Sequence, residues 1–111
     1  MPWRIILGIA LLILPHAAPA QSSGDVAGGL AYALNVCSEC HAVRGGVRLS
    51  PHRRAPAFQV VADTRGMTEM ALRVWLQSPH PSMPMLVIPE NDADHLIAYI
   101  LNLKRTRGQH R

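Results

Sequence analysis

Residues 25–36 read DVAGGLAYALNV, and the apolar Val26, Leu30, Ala33 and Leu34 recur at the intervals of three and four that mark one helix face. Asp25 stands where an N-cap belongs. Gly28 and Gly29 each weaken such a helix by about 1 kcal/mol relative to Ala, so the pair implies close approach of another backbone or ring. A second helix is predicted from the cap Thr68 to about Gln77, with Ala71, Leu72, Trp75 and Leu76 on one face. A third starts with Pro89 at its first position and runs to about Arg105, with a broad apolar face of Leu96, Ile97, Ile100, Leu101 and Leu103. Glu90, Asp92 and Asp94 near its start and Lys104 and Arg105 near its end suit the helix dipole.

Between these periodic stretches the pattern breaks. Residues 42–65 read as loop, because RGG signals a turn and Pro51 and Pro56 bar a continuous helix. So long a loop in so small a domain implies that it wraps around something. The stretch SPHPSMPMLVIPE carries Pro79, Pro81, Pro84 and Pro89 and reads as stiff and extended. No alternation of strand type and no internal repeat stands out, so the expected class is all-α.

The first twenty residues follow another pattern. A short positive start, Met1 to Arg4, precedes the unbroken apolar run Ile5 to Leu14 and the small-residue site Ala18-Pro19-Ala20, the layout of an export signal cleaved before Gln21. The run is shorter than the roughly 20 residues a membrane-spanning helix needs. Residues 21–24 then form a flexible lead-in, 25–105 the domain and 106–111 a polar basic tail. Of 111 residues 91 would remain, near the size at which a core alone is marginal, so an added staple is expected. The formal net charge of +4 is concentrated in Arg44, Arg48, Arg53 and Arg54 and in Lys104, Arg105, Arg107 and Arg111. An exported chain without stacking aromatics or a recognition helix is a poor nucleic-acid binder, and a charged docking face for a protein partner fits better.

The chemistry is concentrated in NVCSECHAV, which holds both cysteines, Cys37 and Cys40, and then His41. Two cysteines three apart followed at once by histidine arise by chance in roughly one chain in a thousand of this composition. An oxidoreductase dithiol would sit on a βαβ pattern, which is missing. Zinc would need further ligands at finger-like spacing, and the chain has no third cysteine. The remaining reading is covalent haem attachment: both thiols on one helical turn form thioethers, and the adjacent His41 becomes an iron ligand. A bound macrocycle is also the staple that the short domain requires.

Beyond CSECH, three stretches resemble the class I cytochromes c of bacterial periplasmic type, and the resemblance covers the mature chain. APAFQVVAD is similar to the loop whose proline carbonyl receives a hydrogen bond from the proximal histidine, a role that falls to Pro56. HPSMPMLVIPE is similar to the loop that supplies the distal methionine directly before a proline, which matches Met83. DADHLIAYILNLKR resembles the closing helix, in which Leu96 and Tyr99 would pack on the first helix at Gly29. The family favours an aromatic four residues before the first cysteine, where this chain has Ala33 beside Tyr32. The resemblance implies a small all-α cytochrome c fold of three to four helices around one haem c. It also implies a periplasmic electron carrier, not an enzyme, that exchanges electrons with protein partners.

Met83 is the preferred sixth ligand, in the stiffest segment between Ser82 and Pro84, with Met85 the alternative. Met67 and Met70, at a helix start, read as gap-fillers. His52 reads as solvated, His80 as a turn residue, His95 as part of an acidic helix start and His110 as tail, while Trp75 reads as part of a pocket or core stripe. With both axial positions filled, substrate cannot reach iron and one-electron exchange remains. The same domain could serve as the cytochrome subunit of a dehydrogenase or oxidase, and a gas-binding role would require an open sixth position.

Overall fold

The computed structural model describes residues 15, 24–80, 82, 83 and 86–109. The expected export signal, the lead-in 21–23, Pro81, Pro84, Met85 and His110 lie outside the described residues. Helix α1, Val26–Tyr32, starts as predicted: the Asp25 carboxylate accepts the Gly28 N–H at 2.7 Å. It does not stay α-helical to Val36. The backbone widens into a π-helical turn, Ala33–Cys37, which delivers Cys37 at its end.

Helix α2, Phe58–Asp63, corrects the expectation of loop throughout 42–65. Pro51 and Pro56 both precede it, so they bar a helix through themselves but not one begun after them. Phe58 and Ala62, four apart, are both buried, and the Phe58 N–H donates to the Ala42 carbonyl at 2.9 Å. Helix α3, Glu69–Gln77, is capped by Thr68, whose hydroxyl accepts the Ala71 N–H at 3.1 Å. Helix α4, Glu90–Gln109, starts one place later than predicted. The Pro89 carbonyl accepts the Ala93 N–H at 2.9 Å, so Pro89 precedes the first turn. The helix also continues past Arg105 through residues 106–109, which had been assigned to the tail; there the Thr106 hydroxyl donates to the Leu103 carbonyl at 3.1 Å.

Among the described residues there are four α-helices, one π-helical turn and no strand, as the all-α class requires. The core is built on α4: Leu96, Ile97, Tyr99, Ile100 and Leu103 pack with Ala33, Phe58, Ala62 and Leu72. Gly29 lies buried where α1 meets α4. A Cβ there would overlap the His95 carbonyl oxygen and stand 2.6 Å from the Tyr99 Cβ, which accounts for a glycine inside a helix. Ala33 is fully enclosed, so a small side chain fills the place where the family favours an aromatic. Among the described residues no helix is long and apolar enough to cross a membrane.

Candidate functional site

The π-helical turn ends in a tight knot. The Cys37 carbonyl accepts N–H groups from both Cys40 (3.2 Å) and His41 (2.9 Å), which gathers all three residues on one turn. Both thiols are free, Cys37 buried and Cys40 half-buried. Burial pushes the Cys37 thiol up to about 11, so it stays protonated at neutral pH.

His41 is fixed from two directions. Its Nδ1 lies 2.6 Å from the Pro56 carbonyl oxygen. A carbonyl can only accept, so Nδ1 carries the proton and Nε2 keeps its lone pair. The Phe58 ring stands 5.4 Å from the imidazole at a 52° tilt. Helix α2, the element missing from the sequence-based expectation, thus follows directly on the carbonyl and supplies the ring that hold this histidine.

Further ties lock the neighbouring loop. The Tyr99 hydroxyl donates to the Val43 carbonyl at 2.5 Å, and burial pushes that phenol up from its ordinary value, so it remains a donor. Gln59 is buried and fully engaged. Its Oε1 accepts the Gly46 N–H at 2.9 Å, and its Nε2 donates to Asp63 at 3.2 Å and to the Leu103 carbonyl at 3.4 Å. Sequence reasoning missed Gln59, because a six-residue helix is too short to show a periodicity in which a buried polar position stands out. Asp63 in turn receives Arg48 at 2.9 Å and Arg107. Partial burial alone would push its carboxyl up, but the bonds from Arg48 and Gln59 and the charge and bond of Arg107 hold it below the usual carboxylate range. Of the four loop arginines, Arg48 is therefore committed to Asp63. Arg44, Arg53 and Arg54 are exposed and make no ion pair with any described residue.

Met83 lies on a different wall. It lines a cavity of about 590 Å³ with Leu76, Pro79, His80, Val87 and Ile88, whereas His41 borders a groove of about 290 Å³ with Leu34, Val47, Leu49 and Pro51. The structure thus brings His41 to Pro56, while Met83 and His41 line different depressions. Met67 packs against the core and Met70 is exposed. Trp75 is 57% exposed, so of its two readings the core stripe does not hold; it is stacked on His80, which lines the cavity of Met83. His95 uses Nδ1 to accept the Asp25 N–H at 2.8 Å, which ties α4 to the cap of α1, and His52 is exposed.

No protein-family model matches the chain, and no solved structure matches it. Over 95 residues, 84% of its length, the chain is 30% identical to cytochrome c-552 of Bradyrhizobium diazoefficiens and covers 90% of that protein. Sequence shared at that level along so much of both chains shows the family: the chain belongs to the cytochrome c family.

Proposed function

We propose that the chain is a periplasmic one-electron carrier of the class I type. Cys37 and Cys40 attach one haem c, His41 is the proximal iron ligand and Met83 the distal one. The observation that carries this reading is the bond between His41 Nδ1 and the Pro56 carbonyl at 2.6 Å. A second-sphere acceptor on one imidazole nitrogen sets the tautomer and ring orientation and raises the basicity of the other nitrogen toward a metal.

The donor set fits the group. Two unlinked thiols stand on the same turn as an oriented imidazole, and the Met83 thioether, which lines a different depression, would supply the second axial donor. The two depressions are also bordered by apolar side chains left in the open, Leu49 at 88% and Val87 at 96%, surface that a flat apolar group would cover. When bound, haem c supplies Fe(III)/Fe(II) exchange. The thioether of Met83 is a neutral, soft donor and favours the reduced metal. With both axial positions taken by side chains, small molecules are excluded, which favours a carrier over a gas-binding protein. Arg44, which lines the groove of His41, and the exposed Arg53 and Arg54 suit an acidic redox partner. Export rests on the N-terminal pattern, and the mature protein should begin at Gln21.

Met83→Ala should abolish the thioether-to-iron charge-transfer absorption of the ferric protein, lower the midpoint potential and admit carbon monoxide to the reduced form. An unchanged absorption and potential would remove Met83 from the ligand set. Prompt carbon monoxide binding by the unaltered protein would refute the closed sixth position.

A further inference from the structure

Helix α3 ends in a sharp reversal. The Ser78 N–H donates to the Trp75 carbonyl at 3.2 Å, and the Ser78 hydroxyl donates to the Val74 carbonyl at 2.6 Å. The chain therefore turns back beneath the last helical turn, and His80 comes to lie on Trp75. Their ring centroids are 4.8 Å apart and their planes 19° from parallel, a stacked pair. His80 is also the residue whose carbonyl accepts the Met83 N–H, at 3.2 Å. A continuous chain of contacts thus runs from a capped helix, through two stacked rings, to the methionine.

Among the described residues of 79–83 no side chain hydrogen-bonds to another element. Prolines at 79 and 81 restrict the backbone of the segment, but restricting φ does not attach it to the helix. Trp75 is 57% exposed, so its contribution does not come from filling the core.

We propose that the Trp75–His80 stack is a positioning device for Met83, holding its thioether in place and setting how readily an outside ligand displaces it. The proposal rests on the reading of Met83 as the distal ligand. An outside ligand binds only while Met83 is off the metal, so its apparent affinity scales with the fraction of molecules whose loop is released. Weakening the stack raises that fraction by the worth of one aromatic pair.

The test uses the full haem-loaded ferric protein at fixed pH, titrated with imidazole and followed by loss of the thioether-to-iron absorption. Trp75→Ala and His80→Ala should each tighten apparent imidazole binding about 2- to 10-fold, the range expected for one stacked pair. The double variant should exceed neither single one, and His80→Phe, which retains a ring, should titrate as the unaltered protein does. Gly29→Ala, which loosens the crossing of α1 on α4 away from this loop, should leave the imidazole affinity unchanged. Unaltered affinity in His80→Ala, multiplicative effects in the double variant, an equal effect in Gly29→Ala, or failure of His80→Phe to return the affinity to that of the unaltered protein would each overturn the proposal. Met83→Ala is read before any imidazole is added. If the absorption survives there, the ligand reading itself fails and the positioning role falls with it, whereas its loss there beside wild-type titrations in the stack variants refutes the positioning role alone.

Discussion

Replacing Gly29 by Ala should destabilise the protein, although Ala is the better helix former. The propensity gain is about 1 kcal/mol in a helix interior. Against it stands the geometry: the new Cβ would overlap the His95 carbonyl oxygen and lie 2.6 Å from the Tyr99 Cβ and 2.7 Å from the His95 carbonyl carbon. None of these atoms is the free end of a side chain, so no rotamer change relieves the overlap and α1 must move off α4. Overpacking of this kind costs about 1–3 kcal/mol, and rigid neighbours place it at or above the top of that range. The net loss is then about 2 kcal/mol, which for a domain of this size lowers Tm by about 8–16 °C. Thermal unfolding of the haem-loaded protein, followed by far-ultraviolet circular dichroism, reads it directly. Gly108→Ala is the control of opposite sign: among the described residues no atom beyond its chain neighbours and its own helix backbone lies within 4 Å of its Cβ position, so stability should hold or rise by up to about 1 kcal/mol. A Gly29→Ala protein that melts at or above the unaltered one would refute the close crossing of α1 and α4.

Tyr99→Phe takes from the Val43 carbonyl its buried donor and should lower stability by about 1–3 kcal/mol in urea unfolding; no change would mean that the bond contributes nothing. The lowered Asp63 carboxyl contributes stability that is present above its unfolded pKa and lost as pH falls through the folded value. Asp63→Asn should therefore flatten the acid side of the pH–stability profile, and salt should weaken the contribution because Arg48 and Arg107 are half exposed. Replacing both Cys37 and Cys40 by Ser should make the haem extractable under denaturing conditions that leave it on the unaltered chain; haem released equally from both would disprove covalent attachment.

The features that could be read from the chain are those whose partners are near neighbours. Asp25 and Thr68 cap backbone amides three residues on, and both bonds are in place. The cysteine and histidine spacing is likewise complete within one turn. Helix α2 was hidden because six residues show too little periodicity and the prolines before it read as loop. The π-helical turn at Ala33–Cys37 was hidden because composition does not distinguish a five-residue hydrogen-bond span from a four-residue one. The core alternative for Trp75 fails for a related reason: its helical phase matches Leu72, yet whether a position at the edge of an apolar face is covered depends on what packs there.

By itself, then, the amino-acid sequence determined the all-α class, the three longer helices within a residue or a turn of their ends, and the spacing of the two cysteines and the histidine. These follow from side chains acting on their own stretch of backbone. Tertiary structure decided what approaches from afar: Pro56 and Phe58 against His41, Gln59 between the loop and α4, Arg48 and Arg107 on Asp63, and His80 on Trp75. Such contacts form only when separate elements are packed at particular angles, and those angles come from the shapes of whole faces, such as a Gly29 small enough to let α1 settle onto α4.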